Sequence, residues 1–205
     1  MKRPAALTSL FSAVVLMFLT VQAHAATKAD DLRRDMRKLW EDHITWTRLY
    51  IVSAIADLPD KDATAKRLLQ NQTDIGNAVK SFYGDTAGEK LTALLKDHIL
   101  IAVDIVDAAK KGDAVKKDDA IRRWNANADD IATFLSGANP KNWPAVEMKK
   151  MMRDHLEATT AELVARLQKD WSADVASYDK VHNQILKMAD MLSEGIAQQF
   201  PDKVR

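Results

Sequence analysis

The chain has no cysteine, and only six glycines and five prolines in 205 residues. Without thiols there is no disulfide scaffold, although an oxidising compartment would permit one. Glycine and proline mark the breaks between segments of helical periodicity, and the alternating runs of β-strands are missing. An excess of either charge is also lacking, with 30 Lys and Arg against 29 Asp and Glu. That balance does not suit a nucleic-acid binder, and the polybasic segments that hold proteins on anionic membranes are absent. No G-x-S-x-G, P-loop or His-x-x-x-His occurs, so nucleophile-elbow, phosphate-loop and zincin chemistry have no support.

What is present begins with a leader. Lys2 and Arg3 precede an apolar run from about Leu7 to Val21, followed by Ala23-His24-Ala25, a small-x-small cleavage pattern. Residues 1–25 are expected to be a secretory signal peptide, and 26–205 one domain exported to the periplasm or beyond. No cysteine follows the run to carry a lipid, and no later stretch is long and apolar enough to span a bilayer, so no stable membrane anchor is expected after cleavage. Loss of the leader leaves 28 Lys and Arg against 29 acids. About 180 residues can bury a sufficient core without staples.

The periodicity predicts an all-α bundle of six helices, roughly 28–57, 62–82, 86–110, 114–136, 145–169 and 173–199. Thr86 with Glu89 reads as a capping box, Pro144 suits a first helical position, and Pro201 ends the last helix. Paired in order, the helices give three αα-hairpins that resemble one another. Their first members carry Asp42-His43, Asp97-His98 and Asp154-His155. The second members carry "NQTDI" at 71–75, "NADDI" at 127–131 and "KMADM" at 187–191, which sets Asp74, Asp130 and Asp190 in register.

Positions three, four and seven apart share a helix face. By that rule His43, His98, His155 and His182 all fall among apolar residues and point inward. Equal distances from the turns bring His43 level with Asp74, His155 level with Asp190, and His98 level with Asn127, with Asp130 a turn further. Thr47, Thr159 and Trp124 fall beside this layer.

Imidazole and carboxylate are the usual ligands of Zn, Cu, Fe or Mn, and bundles build such sites between facing helices. The layer His43, His98, His155, His182, Asp74, Asp130 and Asp190 is therefore a candidate metal site, with Asn127, Thr47, Thr159 and Trp124 lining space for a small ligand. The aspartate before each histidine would orient a neighbouring helix's histidine or an arginine such as Arg48. The alternatives are a structural or protein-interaction bundle whose polar layer only fixes helix register, and an enzyme using the same layer. Met148, Met151 and Met152 read as core filler, as do Trp40, Trp46 and Trp124, whereas Trp143 and Trp171 sit in breaks where exposure is expected.

The stretches "LWEDHITWTR", "NADDIATFLSGANPKNWP" and "YDKVHNQILKMADMLSEGIAQQFP", with the DH-x-x-x-T of His155 to Thr159, resemble a family of small bacterial exported helical proteins. The similarity runs over most of the chain after the leader. Members are often labelled "glycosyltransferase" or "acetylglutamate kinase"; the resemblance implies an all-helical fold and a bacterial source, and no mechanism. Nucleotide-dependent sugar and phosphoryl transfer of those kinds is built on parallel sheets with phosphate-binding loops, and this chain offers the pattern of neither.

Overall fold

The computed structural model describes residues 28–204; the leader read in residues 1–25 lies outside them. Six helices follow one another: α1 Lys28–Ile55, α2 Lys61–Tyr83, α3 Asp85–Lys110, α4 Ala114–Ala138, α5 Ala145–Leu167 and α6 Trp171–Gln199, with a final 3₁₀ turn at Pro201–Lys203. The described residues contain no strand, and none of their helices is long and apolar enough to cross a membrane.

Each helix packs on the next, and α6 returns to α1, so the bundle is a closed ring. Within it α1 also touches α3 and α5, and His98 of α3 meets His155 of α5. The first helices of the three hairpins thus form an inner, mutually parallel trio. Helices α2, α4 and α6 lie outside, each seated in the groove between two inner helices.

The hairpin turns are alike. Asp57, Gly112 and Lys169 all have positive φ, at 54°, 69° and 60°, and each lies 14 residues after a histidine of the inner trio. Beside them the same 6→1 backbone bond recurs: Leu58 N to Ser53 O at 2.9 Å, Asp113 N to Ala108 O at 2.9 Å, and Asp170 N to Ala165 O at 3.0 Å. These are three Schellman turns, which satisfy the last carbonyls of α1, α3 and α5 and reverse the chain with one left-handed residue. Their recurrence is compatible with one hairpin used three times.

Helix starts follow local chemistry more loosely. Asp113 and Asp170 cap α4 and α6 by accepting from Lys116 N and Ala173 N at 3.0 Å each. The expected Thr86 to Glu89 capping box does not form: Gly84 is the N-cap of α3, and Thr86 already lies within the helix. Gly84 breaks the chain there at φ 85°, which moves the start two residues earlier. Pro144 stands one place outside α5, as its N-cap, and α4 runs through Gly137 to Ala138.

Glycines set two close approaches. A Cβ on Gly76 of α2 would stand 2.7 Å from Gly88 O of α3, and one on Gly88 would stand 2.6 Å from Gly76 O. Bare backbone lets these helices nearly touch. Gly195 of α6 makes room for Trp143, which is 2% exposed and donates its indole N–H to Met191 O at 3.2 Å. Trp143 is therefore a core residue although it sits in a break, whereas Trp171 is half exposed.

Candidate functional site

Three histidines meet where the inner helices converge. His43, His98 and His155 are all buried, and their rings pack together, with centroids 5.7 Å apart for His43 and His155 and 6.4 Å for His98 and His155. Trp40 stands edge-on to His43 at 5.7 Å, and Trp124 covers His98 at 5.0 Å while its indole N–H donates to His98 O.

Each ring is held through Nδ1 by a carboxamide of the outer helix in its own hairpin, always 29 residues further along. His98 Nδ1 lies 2.8 Å from Asn127 Oδ1, and His155 Nδ1 lies 3.2 Å from Gln184 Oε1. The amide nitrogens are committed elsewhere: Asn127 donates to Leu94 O and Gln184 to Met151 O, both at 3.0 Å. Their oxygens must therefore face the rings, so Nδ1 is the protonated nitrogen of His98 and of His155. The Nε2 of each, on the far side of the ring, is then the acceptor nitrogen.

His43 differs. Its neighbour is Gln72 Nε2 at 3.3 Å, and that nitrogen also donates to Leu68 O at 2.8 Å and Asn71 Oδ1 at 3.1 Å. Turning the amide round would set oxygen against two other oxygens. His43 Nδ1 is thus an acceptor, and its proton sits on Nε2. The anchoring task that Asn127 and Gln184 perform alone is shared here, because Asn71 donates to Leu39 O while Gln72 meets the ring.

The layer is uncharged. Burial drives His98 down to about 3, with repulsion from His155 adding and the Asn127 bond opposing. Burial likewise takes His155 to about 4, against the Gln184 bond. His43 is pushed well below 6.5 by burial and by the other two rings. The unmet polar demand of the core gathers here too. Among the described residues, the buried side-chain nitrogens and oxygens without a partner are Trp40 Nε1, Gln72 Oε1 and Thr159 Oγ1. Trp40 and Gln72 touch His43, and Thr159 lies one turn beyond His155. Leaving such atoms unpaired costs about 1–3 kcal/mol each.

The carboxylates expected in this layer lie elsewhere. Asp190 is held at the surface by Arg33 at 2.8 Å and Arg37 at 3.0 Å, Asp74 by Gln70 at 3.1 Å and Arg67 at 3.5 Å, and Asp130 is exposed. His182 is half exposed and pairs with Glu41 at 2.8 Å. A helix turns about 100° per residue. With Gln72 and Gln184 facing inward, Asp74 two residues and Asp190 six residues further on rotate away, as does His182 two residues before Gln184, while Asp130, three residues after Asn127, is displaced by about a turn along the helix and about 60° around it. The preceding aspartates also face outward: Asp42 binds Lys38 and Asp154 binds Lys150, each at 2.6 Å. Of the ligand-lining residues, Asn127 is bonded to His98, Trp124 covers it, and Thr47 and Thr159 border a small cavity one turn along.

Two groups were not legible as site residues. Gln72 and Gln184 carry the carboxamides that the acids were expected to supply; applying the 29-residue separation of His98 and Asn127 to the other hairpins finds both. A buried ion cluster lies further along the inner helices. Arg48 reaches Glu162 at 2.7 Å and Asp174 at 2.9 Å, and Arg166 reaches Asp174 at 3.0 Å. Burial pushes the Glu162 carboxyl up to about 7 against the pull of Arg48. Burial also opposes ionisation of Asp174, but hydrogen bonds from Arg48 and Arg166 hold it below the usual carboxylate range.

As they stand, no three His, Asp or Glu side chains among the described residues are grouped closely enough to hold one metal ion. Compared with family models, curated proteins and solved structures, the chain matches none.

Proposed function

We propose that this protein is a binding module whose three-imidazole layer takes a divalent transition-metal ion of the Zn, Cu, Fe or Mn class. One observation carries the reading: three neutral imidazoles have their outer nitrogens tied by carboxamides, and the core's unpartnered polar atoms cluster around them. Metal-binding histidines are ordinarily fixed in this way, by a hydrogen bond to the second ring nitrogen. His43, His98 and His155 are the ligands, with Gln72, Asn127 and Gln184 orienting them. The leader pattern in residues 1–25 supports a site that acts outside the cytoplasm.

Two adjustments accompany binding. The three rings must draw together, because no three ligand side chains among the described residues are grouped closely enough for one ion as they stand. His43 must also move its proton from Nε2 to Nδ1, and Gln72 must leave Leu68 O and Asn71 Oδ1, which its amide nitrogen now serves, before its unpartnered Oε1 can accept from Nδ1–H.

A second reading is favoured by the same bonds. Each ring is already hydrogen-bonded, so the layer serves as a strut that fixes register without any ligand. The two readings part on one experiment. Protein purified without chelator is analysed for metals, then titrated with Zn²⁺, Cu²⁺, Fe²⁺ and Mn²⁺ beside the variants His98→Leu and Asn127→Leu. Near-stoichiometric metal that His98→Leu abolishes and Asn127→Leu weakens about 10- to 100-fold supports the site. No uptake by the wild-type protein, with the double variant His98→Leu/Asn127→Leu equally or more stable, establishes the strut.

A further inference from the structure

One helical turn beyond the imidazoles, the inner helices leave a cavity of about 30 Å³. Thr47, Ala102 and Thr159 border it, each four residues after a histidine of the layer, together with Ile99, Trp124 and Leu163. Almost all of the wall it presents is apolar. Two threonine hydroxyls on its rim are occupied: Thr47 donates to His43 O at 2.8 Å, and Thr160 to Leu156 O at 2.7 Å. Thr92 and Thr133 likewise donate to the carbonyl four residues back. Thr159 departs from this habit. It is 6% exposed, it borders the cavity, and its Oγ1 has no partner.

A volume of this size admits two or three heavy atoms at most. Water is a poor tenant, because an ordered buried water needs two to four polar partners and almost all of this wall is apolar; besides that of Thr159, the hydroxyls on it belong to Tyr50 and to the two threonines whose protons are already given to carbonyls. An apolar void with no occupant leaves both its lining atoms and the Thr159 hydroxyl without contacts. We propose that this chamber binds a neutral molecule of diatomic size, the class of dioxygen, nitric oxide or carbon monoxide, lying against Ile99, Ala102 and Leu163 with one end on the Thr159 hydroxyl. Such a ligand sheds little hydration on entry and makes one polar contact, which matches what the wall supplies. The site stands on residues other than the three imidazoles and holds whether or not they take a metal.

The test uses chelator-treated protein, so that no metal competes for the gas. Diffraction from crystals pressurised with xenon is expected to show the atom between Ala102 and Thr159, and Ala102→Leu, which fills the space, is expected to remove it. In solution, shifts of the Ile99 and Leu163 methyl signals under carbon monoxide and under xenon give the two affinities. Thr159→Val keeps the shape and removes the hydroxyl; it is expected to leave xenon binding in place while lowering the carbon monoxide affinity about two-fold or more relative to xenon. Absence of xenon from the wild-type cavity, an ordered water on Thr159 that xenon fails to displace, or a ratio unmoved by Thr159→Val would overturn the proposal. If Ala102→Leu does not fold, the wild-type protein and Thr159→Val decide it alone.

Discussion

Acidification should loosen this bundle through its own core. In the folded chain His98 lies at about 3, His155 at about 4 and His43 well below 6.5, all three lowered chiefly by burial. In the unfolded chain each returns to about 6.5. As pH falls from 6.5 towards 4, the unfolded state binds up to three protons that the folded state refuses, so stability falls with pH across that window. His98 and His155 together lose about 4 kcal/mol between pH 7 and pH 5, and His43 adds to the loss in the same direction. Glu162 acts with the opposite sign. Its folded value of about 7 exceeds the ordinary 4.5, so the folded state keeps a proton that the unfolded chain gives up, and acidification returns about 2 kcal/mol over the same interval. Asp174 and Asp190, held low by their arginines, add to the loss only nearer pH 4. The balance is a loss of about 2 kcal/mol by pH 5 from the His98, His155 and Glu162 groups, deepened by His43, against a typical total of about 5–15 kcal/mol. Urea unfolding of chelator-treated protein at half-unit steps from pH 7.5 to 5, followed by tryptophan fluorescence and circular dichroism, measures the slope. Glu162→Gln removes the opposing group and should steepen it towards three protons. A stability flat between pH 6.5 and 5 in both proteins would refute the reasoning, because it would mean that the rings are solvated or already charged in the native state.

Other outcomes follow from the same geometry. Arg48→Met leaves Glu162 and Asp174 buried with Arg166 as their remaining cation, and should cost about 3–5 kcal/mol in urea unfolding at pH 7; a loss under 1 kcal/mol would show the cluster to be solvated. Lys169 holds the left-handed turn position at φ 60°, so Lys169→Gly should gain about 0.5–1 kcal/mol, while Gly112→Ala at φ 69° should lose a similar amount. Equal and opposite shifts in the urea midpoint check the pair. Gly76→Ala presses a methyl group on Gly88 O and should cost about 1–3 kcal/mol, read as a lower Tm.

The six helices and the inward set of the three central histidines were legible because both rest on local rules. Turn chemistry marks the ends of helices, and the three-four spacing sets His43, His98 and His155 on apolar faces. Partners across a hairpin are a different problem, since they depend on the register of two helices. Counting from turn midpoints misses by a residue or more, and one residue is about 100° of rotation. The fixed element was the left-handed residue 14 positions after each histidine, which only Gly112 announces; Asp57 and Lys169 adopt the same conformation without a glycine to signal it. Chemical preference added a second error, because carboxylates looked like the natural partners of imidazole. A dry core reverses that preference. A buried carboxylate beside a buried ring must either be desolvated as an anion or draw a proton onto the imidazole, whereas a carboxamide satisfies Nδ1 with no charge at all. Asn127, Gln184 and Gln72 are therefore the residues that let three imidazoles lie together unprotonated. Asp74, Asp130 and Asp190, close in sequence, are left to the surface, where Asp74 and Asp190 find arginines.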